Sequence, residues 1–252
     1  MIALVDADSM LYKIGFAVEE KEVWNEWEYA EGIDDELDIE YTTDLDQCYN
    51  NFDKMVEDML YATDCHKAYL VFSGSGNFRL DLPTPYKGNR ANNRKPTGYD
   101  ELLQYAKDNY SCLAVEGMEA DDYVVWVKTT NPDDYVLCAI DKDVIYQTVG
   151  EHFNYGKDEF IEVTELEATK YAYQQTLSGD STDGYKGCPG IGEVKAIKAL
   201  EGLEDEEDMW KAVVELYEKK GLTEEDALLT MQLANMHQFD GNKINLWQPT
   251  FI

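Results

Sequence analysis

The chain has 252 residues and a formal net charge of −31 at pH 7, because 52 acidic residues outweigh 21 lysines and arginines. Hydrophobic residues make up 44 % of the chain and are spread along it, which excludes an intrinsically disordered protein. No apolar run approaches the roughly 20 residues that cross a bilayer, and the five cysteines form no C-x-x-C pair. We therefore expect a reduced, cytoplasmic protein without membrane association.

Three short apolar runs have the length of buried strands: IALVD from Ile2, AYLVF from Ala68 and YVLCAID from Tyr135. Between the first two, apolar residues recur at helical intervals from Asp44 to Asp64, with Asp44 as a predicted N-cap. This alternation is typical of an α/β sheet whose parallel strands are buried on both faces. Further helices are predicted near residues 99–109, 120–129, 164–177, 207–220 and 223–238.

One stretch leaves its structure open. From Val23 to Thr43 the chain is rich in aromatic and acidic residues, and it fits either a hairpin or a long excursion from the sheet. No internal repeat or low-complexity segment interrupts the rest of the chain. The least regular part is the proline- and glycine-rich stretch PTPYKGNRANNRKPTG.

The segment from Gly74 to Tyr99, here called the basic island, has a net charge opposite in sign to that of the whole chain. It contains one acid, Asp81, against five bases, which gives a net charge of +4. A chain of −31 repels nucleic acid on average, so a nucleic-acid role would need such a local reversal. A solvated surface loop is the simpler interpretation, but it does not explain why all three arginines of the protein collect here. The five bases are Arg79, Lys87, Arg90, Arg94 and Lys95.

Eight carboxylates fall into four clusters, each at the end of a predicted element. In open α/β sheets, ligands bind at the carboxyl ends of the strands, where two of these clusters lie. The other two clusters repeat a spacing of three, which puts their outer members on one face of a helix. The clusters are Asp6; Glu119, Asp121 and Asp122; Asp141 and Asp143; and Asp180 and Asp183.

Each cluster alone has an ordinary explanation, since acids are favoured in the first turn of a helix and an acidic chain clusters them by chance. Convergence of all four at one sheet edge would be costly unless cations neutralised the charge. Oxygen ligands select hard ions such as Mg²⁺ or Mn²⁺. Two such ions about 4 Å apart are the arrangement that stabilises phosphodiester cleavage.

In this order, the motifs of the chain resemble those of the 5′-nuclease superfamily. This family comprises flap endonucleases and 5′-to-3′ exonucleases with a PIN-like core, and the resemblance is strongest to exonucleases of short-tailed podophages. Any one motif would be a weak signal, whereas the ordered series is specific. The motifs are VDAD, NFRLDLPTPYKGNR, EADD, IDKD, GDSTDGYKGCPGIG, and TEEDALLTMQLANM leading to NLWQP.

The resemblance implies an α/β, PIN-like fold with a central, mainly parallel sheet flanked by helices. Residues 1–160 would form the catalytic core, with a helical arch or clamp at 74–99. Residues 161–252 would form a helical region packed on that core, with a helix-hairpin-helix-like DNA-binding element at 179–200.

The resemblance also implies two metal ions, Mg²⁺ or Mn²⁺. Asp6, Glu119, Asp121 and Asp122 would hold the first ion, and Asp141, Asp143, Asp180 and Asp183 would shape the second. One departure matters, because many relatives carry an aspartate where this chain has Ser73, Gly74 and Ser75. The first ion would then lose a ligand, gain a water or recruit Asp8, which matches the podophage pattern.

The same resemblance assigns DNA contacts to the basic island. Lys87 would stabilise charge on the scissile phosphate, Arg79 and Arg90 would hold neighbouring phosphates, and Arg94 and Lys95 would add grip. Lys87, Arg79, Asp6, Asp121 and Asp122 form the predicted catalytic set. Tyr86 has two interpretations of equal weight, a platform for a terminal base and an aromatic packed beside Pro85.

The glycine-rich turn is implied to grip the duplex. Gly187, Gly190 and Gly192 would let backbone N–H groups approach a phosphate, and Lys195 and Lys198 would contact the same strand. In relatives a monovalent cation such as K⁺ sits at this turn. A capped surface turn would explain the glycines but not the acids before them.

These inferences predict a Mg²⁺-dependent 5′-to-3′ exonuclease on duplex DNA in phage replication or recombination, with flap cutting and RNA-primer removal from RNA–DNA hybrids as further activities. A structure-specific flap endonuclease and a PIN-type ribonuclease are the alternatives within the enzyme class. From another class, an acidic DNA mimic would need dispersed acids and has no use for the basic island. The sequence leaves the oligomeric state open.

Overall fold

The structure is a computed structural model that describes residues 1–33, 36–90 and 93–251, with only the backbone for Glu28 and Arg90. Ten strands are found in this part of the chain. They are β1 (Ile2–Asp6), β2 (Glu20–Val23), β3 (Ile39–Thr42), β4 (Ala68–Ser73), β5 (Ser111–Val115), β6 (Tyr135–Cys138), β7 (Gly150–Asn154), β8 (Glu159–Val163), β9 (Gly179–Asp180) and β10 (Tyr185–Lys186).

Ten α-helices accompany these strands in the same described ranges. They are α1 (Asp8–Val18), α2 (Glu26–Ala30), α3 (Leu45–Thr63), α4 (Tyr99–Asn109), α5 (Ala120–Thr130), α6 (Lys142–Tyr146), α7 (Glu165–Ser178), α8 (Glu193–Ala199), α9 (Glu206–Glu218) and α10 (Glu224–Ala234). None of them is long and apolar enough to cross a membrane.

The central sheet has six strands in the order β5-β4-β1-β6-β7-β8. All neighbours pair in parallel except β7 and β8, which are antiparallel. The predicted α/β fold with a mainly parallel sheet is confirmed. The chain returns to this sheet at β8, so the sheet runs past the predicted boundary at residue 160, and the division into two regions stays a prediction.

The central strand β1 shows why this sheet is buried on both sides. Ala3 and Val5 point into a core formed with α1, α3 and α4, whereas Leu4 between them points into a second core formed with α5 and α6. Alternate side chains of a strand face opposite sides of the sheet, so an unbroken apolar run needs a helix layer on each face. A third core joins α7, α8, α9 and α10.

The excursion between α1 and α3 contains an antiparallel pair of strands, β2 and β3, with the short helix α2 between them. Residues 34 and 35 of this stretch lie outside the described part. The predicted hairpin and the predicted excursion are therefore both partly right. The later helix predicted at 223–238 ends earlier, at Ala234.

The basic island differs from the helical arch that the sequence predicts. Its described part contains two short 3₁₀ turns, Phe78–Asp81 and Gly88–Arg90, and no α-helix before α4. Pro83, Pro85 and Pro96 explain this difference, because proline lacks the N–H that a helix interior requires. Residues 91 and 92 lie outside the described part.

Candidate active site

Parallel pairing brings the predicted acids to one edge of the sheet. Strands β1 and β6 are neighbours and run in the same direction, so Asp6 at the end of β1 lies near Asp141 just beyond β6. Helix α5 begins at the same edge and brings Asp121. The three side chains are close enough that the charges of Asp6 and Asp141 raise the pKa of Asp121, after the larger effect of burial.

Asp6 has a buried carboxylate oxygen that no donor of the described residues satisfies. Its side chain is buried, and its Oδ1 atom has no hydrogen-bond partner among the described residues. Burial, followed by the charges of Asp8 and Asp141, raises the pKa of Asp6 well above its ordinary value. A buried carboxylate oxygen without a donor is the kind of group that a divalent cation satisfies. The residues therefore fit a hard divalent cation.

Asp8 lies where the family pattern loses its aspartate. The backbone N–H of Ser73, at the end of β4, donates to both carboxylate oxygens of Asp8, at 3.1 and 3.2 Å. The Ser73 hydroxyl in turn accepts from the N–H of Ala120 at 2.9 Å. The serine thus orients Asp8 beside the start of α5, close to Asp6.

Asp122, unlike its neighbour Asp121, does not have the surroundings predicted for a metal ligand. It is fully buried, and both of its oxygens accept bidentate hydrogen bonds of 2.7 Å from Arg79. Arg79 is also buried and donates to the carbonyls of Leu233 at 2.9 Å and Asn235 at 3.0 Å. A buried guanidinium with these partners cannot hold a phosphate, and a carboxylate paired in this way is not free to bind a metal.

Glu119 caps α5 and also faces the basic island. Its side chain and that of Asp122 form a reciprocal capping box at the start of the helix. Glu119 accepts a hydrogen bond from the Tyr86 hydroxyl at 2.6 Å and contacts the ammonium of Lys87. Burial alone would raise the pKa of Glu119, but the cations of Lys87 and Arg79 bring it below its ordinary value.

Tyr86 is a packed aromatic and not an exposed platform for a base. It is 6 % exposed, and its hydroxyl bridges Glu119 to Asp183, with 3.0 Å to the latter. Its ring stacks on Tyr185 with 6.4 Å between centroids. The packed interpretation is therefore the correct one, because the ring has no free face at the surface.

Lys87 reaches the acids of the site from the basic island, and its side chain, unlike that of Arg79, is partly exposed. Its ammonium contacts Glu119 and lies 3.8 Å from Asp183, while its backbone N–H donates to the Asp183 carbonyl at 2.6 Å. Asn89 fastens the same segment by donating to the Ser181 carbonyl at 2.9 Å. Burial alone would lower the pKa of Lys87, but the carboxylates of Glu119 and Asp183 raise it. The lysine stays charged and partly exposed at the site.

Asp143, one of the acids predicted for the second ion, is held by a residue of helix α7. It is 7 % exposed and accepts a hydrogen bond from the Tyr171 hydroxyl at 2.9 Å, and the nearby Gln175 amide lowers its pKa. Burial, followed by the charge of Asp141, nevertheless raises its pKa to about 6. The Asp180 charge also raises this pKa, which places the glycine-rich turn beside the same group.

Asp180 organises the loop that carries Asp183. Its Oδ1 accepts the backbone N–H groups of Thr182 at 2.6 Å and Asp183 at 3.2 Å. The loop is closed by the two-stranded pair β9 and β10. The spacing of three between the two aspartates therefore reflects a turn rather than a helix face.

Arg94 lies away from the acids of the site and is already paired, in contrast to its predicted role as a DNA contact. Its guanidinium makes a bidentate pair with Glu19, at 2.5 and 2.6 Å, and lies 3.8 Å from the centre of the Tyr41 ring. The hydrogen bond from Arg94 lowers the pKa of Glu19 to about 2. Arg94 thus ties the excursion to the island. Lys95 lies 3.5 Å from Asp100, and the Arg90 side chain is outside the described part.

The glycine-rich turn contains glycines of different kinds. Gly187 packs against Gly179, so a Cβ on Gly187 would lie 2.3 Å from the Gly179 nitrogen, and packing explains this glycine without DNA. Gly190 has a φ of +77°, and its carbonyl accepts from Lys195 at 2.8 Å. Gly192 is exposed with open space around its Cα, and Lys198 is exposed on α8.

The structure also contains site residues that the sequence analysis missed. Tyr171 of α7 donates to Asp143, Gln175 of the same helix lowers the pKa of that carboxyl, and Gln147 donates to Gln175. Their spacing of four puts Tyr171 and Gln175 on one face of the helix. This spacing alone does not predict which acid they face. Within the described ranges, no three Cys, His, Asp or Glu side chains stand ready-made around a metal position.

No family model matches the chain. Among curated proteins, the exonuclease of Escherichia phage T7 is 28 % identical over 222 residues, covering 71 % of this chain and 73 % of the relative. The exodeoxyribonuclease of Enterobacteria phage T3 is 26 % identical over 222 residues, covering 71 % and 72 %.

Solved structures share the fold. A flap endonuclease of bacteriophage T5, in a complex with DNA and metal ions, matches with a TM-score of 0.65 and 14 % identity, covering 94 % of this chain and 89 % of that one. The catalytic core of Rad2 with a DNA substrate matches with a TM-score of 0.54 and 15 % identity, covering 87 % and 67 %. The chain is thus similar in sequence to two phage exonucleases, and it shares its fold with the T5 flap endonuclease and the Rad2 catalytic core.

Proposed function

We propose that the protein is a divalent-metal-dependent 5′-to-3′ exonuclease that acts on duplex DNA during phage replication or recombination. The observation that carries this proposal is the meeting of Asp6, Asp121 and Asp141 at one sheet edge, with an unpaired buried oxygen on Asp6. The names of the T7 and T3 relatives support an exonuclease. The T5 structure, which contains both DNA and metal ions, supports the proposal that this site binds both.

The acids would hold two divalent ions, Mg²⁺ or Mn²⁺. When bound, such ions neutralise charge on the phosphate and activate water for attack. The first group would be Asp6, Asp121 and Glu119 with Asp8, oriented by Ser73. The second group would be Asp141, Asp143, Asp180 and Asp183. Asp122 and Arg79 would act as positioning residues beneath the first group.

Lys87 would contact the scissile phosphate. Its side chain is one-fifth exposed and already faces the acids from the island. An ammonium held at this position stabilises the charge that builds up in the transition state. Because Glu119 and Asp183 hold it in place, the lysine would need only a small movement to reach an incoming phosphate.

The duplex would lie across the glycine-rich turn. Gly190, Gly192 and Lys198 are exposed there, and a K⁺ ion at the turn would help to hold one strand. Lys95 would add a contact from the island. Since the same acids serve both reactions, we include flaps and RNA–DNA hybrids among the proposed substrates.

Two alternatives rank lower. A structure-specific flap endonuclease is favoured by the T5 fold, which covers 94 % of the chain, but the curated phage relatives carry exonuclease names. An acidic DNA mimic would present its acids to a partner, whereas Asp6 is buried. A buried carboxylate contributes nothing to mimicry.

Duplexes labelled at the 5′ or the 3′ end of one strand test the proposal. With Mg²⁺ the protein should release labelled mononucleotides from the 5′ end, and EDTA or Asp121→Asn should abolish the release. The same assay on a 5′ flap separates exonuclease from flap cutting by product length. Release from the 3′ end, or cleavage that persists in EDTA, would overturn the proposal.

A further inference from the structure

Two buried glutamines lie between Asp143 and a stretch of backbone at the end of α10. This stretch comprises residues 233–236. Gln147, at the end of α6, is fully buried, and Gln175, in α7, is 5 % exposed. Buried amides are costly unless their donors and acceptors are paired. Their partners therefore reveal what holds them in place.

The amide of Gln147 has one possible orientation. Its nitrogen donates to the Ala234 carbonyl at 2.8 Å, and its oxygen accepts from the Met236 backbone N–H at 3.0 Å. A carbonyl can only accept and a backbone N–H can only donate, so a flipped amide would lose both bonds. Backbone groups at the end of α10 and just beyond it thus set which way Gln147 faces.

The orientation of Gln147 sets that of Gln175. The second N–H of Gln147 donates to the oxygen of Gln175 at 3.0 Å. With its oxygen held in this way, Gln175 turns its NH₂ group to its other side, where the amide lies close enough to Asp143 to lower the pKa of that carboxyl. Tyr171, one turn earlier in α7, donates to the same carboxylate at 2.9 Å.

We propose that Gln147 and Gln175 form an amide relay through which the backbone of residues 233–236, at the end of α10, orients Asp143 for cation binding. This inference rests on the proposed function, because it assigns the relay to the second cation. The two glutamines are positioning residues and touch no reacting atom. Groups that orient metal ligands typically change metal affinity by about 10- to 100-fold when they are lost.

The same segment also supports the first acid group. The carbonyls of Leu233 and Asn235 accept from Arg79, which pairs with Asp122 at the start of α5. One short stretch of backbone therefore holds both halves of the site. We expect a change at Gln147 to act mainly on the second half, because its side chain bonds to Gln175 but not to Arg79 or Asp122.

The decisive change is Gln147→Glu, read out by titrating Mn²⁺ into the DNA-free protein by calorimetry. The introduced carboxylate has no N–H to donate, so Gln175 should turn its NH₂ group toward it and its oxygen toward Asp143. One of the two Mn²⁺ affinities should fall at least about tenfold, while the other is retained.

A double-mutant cycle separates the relay from general damage. In a Gln175→Met background no amide remains to turn, so adding Gln147→Glu should have little further effect on Mn²⁺ affinity. Gln175→Met alone should lower the same affinity as Gln147→Glu does, because Asp143 loses the nearby amide. This variant also decides the question if Gln147→Glu does not fold.

Gln238→Glu is the matched control. Gln238 is 1 % exposed and donates to the carbonyls of Gln232 and Asn235, but it does not reach Asp143. It should lower the melting temperature and leave both Mn²⁺ affinities unchanged. Unchanged affinities in Gln175→Met and Gln147→Glu, or an equal loss in Gln238→Glu, would overturn the relay. A wild-type protein that binds no Mn²⁺ would overturn the proposed function itself.

Discussion

Neighbouring residues of the same type have opposite surroundings in this site. Asp121 faces other acids, and burial with the charges of Asp6 and Glu119 raises its pKa well above the ordinary value. Asp122 faces the guanidinium of Arg79 in a buried bidentate pair. The first carboxylate is suited to a cation, and the second stabilises the fold.

Asparagine substitutions at these two positions should therefore change stability in opposite directions. In EDTA, Asp121→Asn should raise the free energy of unfolding, because it removes repulsion among buried acids. Asp122→Asn should lower it by about 3 to 5 kcal/mol, since Arg79 would be left without its partner. Urea unfolding measures both, and shifts of the same sign would contradict the assignment.

Asp143 predicts a pH dependence of stability. Its pKa is about 6 in the folded protein against an ordinary 3.8, so between these values the folded state binds more protons than the unfolded state. The free energy of unfolding should then fall as pH rises from about 4 to about 6, by up to about 3 kcal/mol. Urea unfolding in EDTA should show a smaller fall in Asp143→Asn. An equal fall in both proteins would refute the role of Asp143.

Two bases of the island should give different phenotypes. Lys87→Ala should lower the single-turnover cleavage rate at saturating protein by about 100-fold, since its charge acts in the transition state. Arg94→Ala should leave that rate and the salt dependence of DNA affinity unchanged, because Arg94 is paired with Glu19. If Arg94→Ala reduced the salt slope by about one, Arg94 would be a phosphate contact after all.

At the scale of elements, the approach of two backbones places the second acid group. Gly179, with a φ of +69°, ends α7 and lies against Gly187 just beyond β10. Their contact closes the loop that carries Asp180 and Asp183. The position of these acids thus depends on two positions where no side chain fits.

Alanine at two glycines of the turn tests this packing. Gly187→Ala should lower stability by about 1 to 3 kcal/mol, because the added methyl overlaps the Gly179 backbone. It should also reduce cleavage by moving Asp183. Gly192→Ala, where open space surrounds the position, should keep wild-type stability. Equal thermal melting of the two variants would show that Gly187 is not required for packing.

At the scale of the whole molecule, the charge of −31 opposes both folding and DNA binding. Like charges on one compact chain repel, and salt screens them over about 10 Å at 0.1 M. Contact with DNA depends instead on a few local bases, which salt weakens. The two effects of salt therefore have opposite signs.

Added NaCl should raise the melting temperature and lower the affinity for duplex DNA. Both should be followed from about 0.05 to 0.5 M NaCl, with Ca²⁺ replacing Mg²⁺ in the binding measurements to prevent cleavage. A melting temperature that falls with salt would mean that attractive pairs such as Arg94–Glu19 outweigh the repulsion.

The local pattern of the sequence was enough to predict much of this fold. The apolar runs at Ile2, Ala68 and Tyr135 became β1, β4 and β6, and the helical spacing from Asp44 became α3 with that residue as its N-cap. These features depend on residues close together in the chain, such as a side chain that caps the next turn. The acid clusters were found in the same way, since each lies at the end of one element.

Only the tertiary structure decided which charged groups are free. Arg79 and Asp122 are 43 positions apart, and Arg94 and Glu19 are 75 apart, so their pairing has no local signal. The amide relay likewise depends on Gln147, Gln175 and Ala234 meeting in the interior. Burial removes water as an alternative partner, so a side chain's role is set by its non-local neighbours. Residue type and spacing determine which groups are present, and packing determines which of them remain available for DNA or metal.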